Sequence, residues 1–303
     1  MTRARPRVSV GIPVYNGERY LAAALESLRA QTYEDFELII SDNASIDHTA
    51  EIARSYAAQD RRIRYVRNAR NVGAAGNFRH TLQLASGEYF RWAAADDISA
   101  PEFLARCVEV LDREPRVVLA YPKTRFIDEY GRVTADYDDR LHLPQQRASD
   151  RFRALVDRLG HCNAMYGLTR KDVVRRTRLL GSYFGADIVL LAELVLYGAF
   201  WEVPEFLFYR RFHEAAHSRM TTIDQWKAFW NPEDRGRIYC YTWRHLWEHV
   251  RSLPRAPLDA AEKLRVATVL VRMALWRRQR LSQEITDAAR QLMGGISRPA
   301  ARS

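Results

Sequence analysis

Over the first 120 residues, strand and helix patterns alternate, and this rhythm constrains the fold more than any other feature. Val8–Val14 reads as a buried strand followed by a turn at Asn16-Gly17. Leu21, Ala24, Leu25 and Leu28 then share one face of a helix, at the three- and four-residue spacing an apolar stripe requires. Phe36–Ser41 is a second strand ending at Asp42-Asn43, and Ser45 or Asp47 is placed to cap the helix through Ile52 and Tyr56. Ile63–Val66 is a third strand, Asn71–Asn77 a glycine-bearing turn into another helix, and Glu88–Ala94 a fourth strand. A helix over 101–113 leads into Val117–Tyr121. Strands separated by helices of this length form right-handed β-α-β units, so the pattern predicts an α/β fold with a mainly parallel sheet.

Past residue 122 the rhythm changes. Phe126–Val133 has the pattern of a hairpin around a tight turn. Helices are predicted at 148–159 and 187–198, with short strands near 163–169 and 206–211. Residues 223–250 carry Trp226, Trp230, Trp243 and Trp247 and read as helical. Leu264–Trp276 is almost wholly apolar, broken by Arg265, Thr268 and Arg272 and closed by Arg277-Arg278-Gln279-Arg280.

With 303 residues, 47% hydrophobic and 28% charged, the chain has the composition of a folded protein with one large or two modest domains. Cys107, Cys162 and Cys240 stand far apart without a C-x-x-C pair. That argues against a disulfide framework or a structural zinc site and fits a reducing, cytoplasmic compartment. The basic N-terminus runs straight into a strand pattern, without the apolar stretch of a signal peptide. No run approaches the ~18 apolar residues that span a bilayer. The net charge of +10 is unevenly held: 33 basic and 32 acidic side chains over 1–234, against 14 and 5 over 235–303. A basic tail predicts an anionic partner such as membrane phospholipid or nucleic acid.

Asp96 and Asp97 stand where the apolar strand from Tyr89 runs out. Neighbouring carboxylates repel each other unless a cation offsets them. Mg²⁺ and Mn²⁺ commonly share one or two protein carboxylates with substrate phosphates, which makes the pair a candidate nucleotide-diphosphate site. The alternative is that Asp97 or Ser99 caps the helix that Pro101 starts. Ligands of open parallel sheets bind beyond the carboxyl ends of the strands. Three polar clusters fall at such ends: Pro13–Asn16, Asp42-Asn43 and Asp96-Asp97. The Asp42 carboxylate suits a base N–H or an Asx turn, and Glu18 suits a nucleotide contact or its own helix N-terminus. The glycines of 73–76 lack the Lys-Ser/Thr ending of a P-loop and read as permitting a tight turn beside the ligand.

In their order and spacing, Val8–Glu18, Leu28–Tyr33, Ile40–Ser45, Asn71-Val72-Gly73, Ala85–Tyr89 and Asp96–Ile98 resemble a family-2 glycosyltransferase. The motifs cover residues 8–105, and weaker ones extend to about 218. The resemblance implies a GT-A fold, a Rossmann-like mainly parallel sheet flanked by helices. It also implies a nucleotide-diphosphate sugar donor, a divalent metal (Mn²⁺ or Mg²⁺) and inverting chemistry. The expected layout is a catalytic domain over 1–222, with a nucleotide-sugar half at 8–121 and an acceptor half at 122–222. A basic, aromatic-rich helical extension follows at 223–303.

Carried over by position, Pro13, Tyr15, Glu18 and Asp42 would line the nucleoside pocket with Asn71, and Asp96 and Asp97 would meet the ribose and the metal–diphosphate. The sequence departs from the common D-A-D-D pattern at Ala94, leaving one carboxylate fewer and a ligand set completed by water or another residue. Gly185–Leu194 resembles the acceptor-side segment, in which an acidic residue opens a helix. Asp187 would there take the acceptor hydroxyl's proton; otherwise it is an acid favouring the first helical turn. Glu193, on another helical face, reads as structural. Phe208–His213, with His217 and Ser218 beyond, resembles the closing strand and loop. Of Arg210 and Arg211, which alternate along a strand, one would face the departing diphosphate. His213 would join Asp96 and Asp97 at the metal, contact phosphate or serve as a structural hydrogen-bonding residue.

The resemblance thus predicts a metal-dependent transfer to a glycan or lipid-linked glycan hydroxyl in cell-surface glycan or polysaccharide synthesis. Ala94 and the basic tail suggest a rival, a non-catalytic membrane-attached nucleotide-sugar-binding or assembly subunit. A same-fold nucleotidyltransferase is disfavoured, since no Gly-rich motif with an activating Lys lies near the N-terminus. The C-terminal segment has three readings. It packs on the domain, it lies on an anionic membrane with Trp276 and the Arg cluster at the headgroups, or it binds nucleic acid, for which no motif accompanies the charge. The expected location is the cytoplasm, peripheral on the inner face of the cell membrane.

Overall fold

The computed structural model describes residues 5–214, 222–230 and 240–296, so His217 and Ser218 lie outside the described residues. Its strands are β1 (Val8–Val14), β2 (Phe36–Asp42), β3 (Ile63–Arg67), β4 (Tyr89–Trp92), β5 (Ile98–Ser99), β6 (Val117–Ile127), β7 (Val133–Tyr137), β8 (Leu168–Arg170) and β9 (Ala199–Arg211). The helices of the first half are α1 (Leu21–Arg29), α2 (Thr49–Gln59), α3 (Gly73–Leu84) and α4 (Phe103–Arg113). Those of the second are α5 (Ala148–Arg158), α6 (Lys171–Arg176), α7 (Ala186–Tyr197), α8 (Ile223–Trp230), α9 (Tyr241–Ser252), α10 (Ala260–Trp276) and α11 (Arg278–Ile296).

The strands form one sheet in the order β3-β2-β1-β4-β8-β6-β9-β5, with β7 paired to β6. The first four are parallel, as the alternating pattern predicts. The second half is mixed: β8 runs antiparallel to β4 and β6, β9 parallel to β6, and β5 antiparallel to β9. The β6–β7 hairpin must be antiparallel, because so short a turn cannot carry a crossover. β1 lies between β2 and β4 with helices over the sheet, which is why it is buried along almost its whole length and carries one polar residue, Ser9. At Gly11 a Cβ would come within 2.6 Å of the Thr81 side chain, so glycine lets α3 press against β1.

Several boundaries differ from the sequence reading. β4 stops at Trp92, and Ile98-Ser99 form a separate short strand on β9, placing Asp96 and Asp97 between the two strands. The helix after Pro101 begins at Phe103 with Glu102 at its N-cap, so neither Asp97 nor Ser99 caps it. Residues 163–166 form a 3₁₀ turn ahead of β8 rather than a strand. β9 starts at Ala199, earlier than expected, because it pairs along the length of β6. Asp47 accepts the Thr49 N–H near the start of α2, while the Ser45 hydroxyl accepts from Asn16.

The C-terminal helices dock on the body. α10 buries Val266, Leu270 and Met273, at helical spacing, in the same core as the sheet. α10 packs on α5, and α9 packs on α7. Among the described residues, no helix is long and apolar enough to cross a membrane.

Candidate active site

Beyond the carboxyl ends of β1, β2 and β4 the sheet opens into a cleft of about 640 Å³. Its walls come from Pro13–Gly17, Asn43, Asn71, Asn77 and Ala94–Asp97 of the first half, and from Tyr166, Asp187, Arg210, Arg211 and His213 of the second. α8 closes one flank with Gln225, Phe229 and Trp230. Of the residues singled out in the sequence, the fold brings Pro13, Tyr15, Asn71, Asp96, Asp97, Asp187, Arg210, Arg211 and His213 to this one cavity.

Local hydrogen bonds explain how the first loops hold their shape. Asn16, at φ 52°, donates its backbone N–H to Ser45 and accepts from the Ile46 N–H through its side chain. The Gly17 N–H donates to Thr49 and the Glu18 N–H to Asp47. The Glu18 carboxylate accepts the His48 N–H at 3.0 Å, so it braces two loops and is absent from the cleft wall. Asp42 is also behind the wall. Its fully buried carboxylate accepts from the Ser45 N–H at 2.8 Å, the Tyr65 hydroxyl at 2.7 Å and Arg67 at 3.1 Å. Asn43 lies on the wall, donating to Asn71 Oδ1 at 2.8 Å and accepting from Asn68 and the Val72 N–H. These amides hold the turn that starts α3.

At the other end, Asp97 is buried and accepts the Arg211 N–H at 2.8 Å. Burial raises its proton affinity well above the usual carboxylate range, and the neighbouring Asp96 charge adds to the effect. Asp96 is half-buried, with Oδ2 at 3.0 Å from His213 Nε2. The His213 Nδ1 atom is buried without a hydrogen-bond partner among the described residues. Two adjacent carboxylates, with an imidazole beside them, fit a divalent cation shared with a diphosphate. No group of three or more His, Cys, Asp or Glu side chains able to hold a metal converges among the described residues.

Both arginines border the cleft, where strand alternation predicts one. Arg211 donates to the carbonyls of Asp96, Asp128 and Glu129, whereas Arg210 donates to His161 O at 2.6 Å and Asn163 Oδ1 at 2.7 Å.

Asp187 sits in the first turn of α7, its Oδ1 accepting the Ile188 N–H at 3.0 Å. Gly185 precedes the helix at φ 75°, and a Cβ there would fall 2.4 Å from the His245 ring. Glycine thus sets the direction in which α7, and with it Asp187, enters the cleft. Glu193 is buried on the far side of α7 and accepts the Arg178 N–H.

Sequence reasoning missed Tyr166. Burial raises its phenol pKa strongly, and Asp97, Asp96 and Asp187 add to the effect against Arg210. The phenol therefore lies in the shared field of the acids on both cleft walls. No local pattern announces this, because Asp96-Asp97 and Asp187 meet Tyr166 only in three dimensions. Asn43 had a signal, its place at the end of β2, whereas Phe229 and Trp230 had only a general aromatic enrichment.

The sequence model of the family described as Glycosyl transferase family 2 matches residues 9–177. A Bacillus subtilis protein named as the glycosyltransferase EpsE is 37% identical over 127 residues, covering 42% of this chain and 46% of that one. An uncharacterised glycosyltransferase of Methanocaldococcus jannaschii is 32% identical over 135 residues, 44% of this chain and 47% of that one. The aligned part thus spans about half the length of these curated relatives. Among solved structures, Staphylococcus aureus TarS with UDP-GlcNAc superposes with a TM-score of 0.67 at 17% identity, over 94% of this chain and 81% of that one. The mannosyltransferase PcManGT of Pyrobaculum calidifontis, with GDP-Man and Mn²⁺, gives 0.52 at 17% identity, over 96% and 88%. The two structures share the fold. The family match runs through β1, β2, β4 and the Asp96-Asp97 turn that together build the cleft, and it covers more than half of the sequence: the chain belongs to glycosyl transferase family 2.

Proposed function

We propose that this chain is an inverting glycosyltransferase that moves a sugar from a nucleotide-diphosphate sugar to the hydroxyl of a glycan or lipid-linked glycan in cell-surface polysaccharide synthesis. The observation carrying this reading is that one cleft brings the adjacent carboxylates Asp96 and Asp97 together with a separate carboxylate, Asp187, carried by α7. The nucleoside would lie along Pro13, Tyr15, Asn43 and Asn71, with Asp42 and Glu18 supporting the loops behind them. The diphosphate would lie toward Asp96, Asp97 and His213. Residues 1–222 would supply most of the substrate contacts, Gln225, Phe229 and Trp230 of α8 would close the cleft, and the helices from α9 on would form a docked extension.

Asp96 and Asp97 would hold Mn²⁺ or Mg²⁺, joined by His213 if its ring turns from Asp96. When bound, the ion offsets diphosphate charge. The acceptor oxygen attacks the anomeric carbon from the Asp187 side. As that C–O bond forms, the bond to the donor phosphate oxygen breaks on the opposite face and its electron pair leaves with the nucleoside diphosphate. The acceptor proton passes to the Asp187 carboxylate. Arg210 and Arg211 place positive charge on the leaving-group side.

Asp187→Asn tests the assignment. General-base removal is expected to lower turnover by about 10²–10⁴-fold while donor affinity stays near that of the unmodified protein. Near-normal turnover in the variant would remove Asp187 as the base. Donor binding without transfer or donor hydrolysis by the unmodified protein, across donors and acceptors with either metal, would favour the non-catalytic binding subunit that Ala94 suggests.

A further inference from the structure

The C-terminal helices carry an apolar surface turned toward solvent. α9 is amphipathic in reverse. It buries Thr242, His245, Glu248, His249 and Ser252 and exposes Trp243, Trp247 and Val250, three residues at helical spacing. On α10, Leu264, Val271 and Leu275 line the face opposite the buried Val266, Leu270 and Met273, and Trp276 ends the helix 65% exposed. α11 adds Ile285. Eight of the thirteen large apolar side chains exposed among the described residues therefore fall within 240–296. The three helices touch one another, and Trp243 reaches across to donate to Leu281 O at 3.0 Å. Scattered exposed apolar residues need no explanation, but a cluster on adjacent helices does.

Charge identifies what the surface fits. Ten basic and five acidic side chains lie within 240–296. Three of the five acids are withdrawn, while Asp259 is exposed and Asp287 half-exposed. Glu248 and Glu262 are buried, and Glu284 is half-buried with both oxygens accepting from the N–H groups of Thr242 and Trp243. The cations point outward: Arg244, Arg251, Arg265, Arg278, Arg280 and Arg290 are exposed. No carboxylate pairs with Arg277, Arg278 or Arg280 among the described residues, and these follow Leu275 and Trp276 directly. Arg272 stacks over the Trp276 ring at 4.4 Å, holding an indole and a guanidinium together at the edge of the apolar stripe. Tryptophan beside arginine on an exposed apolar helical face is chemistry suited to the boundary between phospholipid headgroups and acyl chains.

We propose that the outer face of α9–α11 docks on an anionic phospholipid bilayer, its tryptophans and leucines entering the interface and its arginines meeting the phosphates. The fold lies on the membrane and does not cross it. This inference rests on the surface alone and stands or falls independently of the glycosyl-transfer reading.

The test is co-sedimentation of the full chain with vesicles of phosphatidylcholine alone and with about one-third phosphatidylglycerol, at low and at high salt. Partitioning onto the anionic vesicles, weakened by salt, is expected. Arg277→Gln, Arg278→Gln and Arg280→Gln together should weaken it on the order of 100-fold, at ~1 kcal/mol per basic residue near the surface. Trp247→Ser, Leu275→Ser and Trp276→Ser together should weaken it at least tenfold, with the urea unfolding midpoint of this apolar variant unchanged because Trp247, Leu275 and Trp276 are all exposed. Equal partitioning of the full chain on the two vesicle types would overturn the proposal, as would unaltered binding by both variants. A dimer in sedimentation equilibrium that the apolar variant dissociates, without vesicle binding, would overturn it in favour of a contact between two copies.

Discussion

Replacing His249 with glutamine should remove about 2 kcal/mol of acid sensitivity from this fold between pH 8 and pH 5. His249 lies beneath α9, 4% exposed, with the Phe152 ring 5.8 Å away, the His245 ring 6.4 Å away and the Arg277 charge nearby. Burial, reinforced by His245 and Arg277, pushes its pKa from 6.5 down to about 3. The native state therefore keeps the ring neutral where the unfolded chain protonates it. A histidine depressed in this way contributes its full stability above pH 6.5 and loses it as the pH falls toward 3. At pH 5 the unfolded imidazole is about 97% protonated, which favours unfolding by RT ln 32, or about 2 kcal/mol. The whole protein need not show this slope. Burial raises the Asp139 carboxyl to about 7, and such an acid gains native-state stability as the pH falls from 8 to 5, by about 2–3 kcal/mol. The informative quantity is the difference between the variant and the unmodified protein, measured by urea unfolding followed through tryptophan fluorescence at pH 8, 6.5 and 5. Glutamine lowers stability at pH 8 through poorer packing, but that penalty should shrink by about 2 kcal/mol at pH 5. A penalty that stays constant across the three pH values would show that His249 does not titrate out of register with the unfolded chain, and the argument from burial would fail.

Two further expectations concern the elements that aim the site. Gly185→Ala forces an L side chain to φ 75° and a Cβ 2.4 Å from His245, so urea unfolding should show a loss of at least about 1–2 kcal/mol, with turnover falling as Asp187 shifts. His245→Ala in the same background should recover the clash component, and failure of Gly185→Ala to destabilise would remove the steric account. Glu262 joins α10 to α5 by accepting the Ser149 N–H at 2.7 Å and pairs with Arg265 at 2.8 Å. Glu262→Gln should cost about 1.5–3 kcal/mol, the range for a hydrogen bond to a charged group. It should also speed proteolytic release of the C-terminal helices, whereas unchanged cleavage would mean that α10 is held by its apolar face alone.

The nucleotide half was readable because its signals are local. Strands inside the sheet are largely apolar, and the helices after them show one apolar stripe, so β1, β2 and β4 and α1 to α4 appear in the residue pattern itself, while the partly exposed edge strand β3 shows a weaker one. Asp96-Asp97 was legible as a pair, yet its alternative as a helix cap could be removed only when Glu102 was seen at the cap and Ile98-Ser99 in a strand. The second half was harder for a physical reason: β8 and β9 find partners distant in sequence, so their lengths follow from pairing with β6. Strand alternation also misdirected the reading of Arg210 and Arg211, since alternation along a strand does not by itself decide which residues line a cavity, and both do.

The sequence alone determined the α/β class, the three polar strand ends, the family resemblance and the concentration of positive charge in the C-terminal fifth. Each depends on neighbours in the chain or on counting, and neither changes on folding. The tertiary structure decided which of those residues share a cavity. It set Asp42 and Glu18 behind the wall, brought Tyr166 and Asp187 into one cavity with Asp96, and buried or half-buried the glutamates of α9–α11 while its tryptophans faced out. Those outcomes depend on how whole elements pack, where burial of one helix face commits every residue on the other, and no single stretch of sequence contains that information.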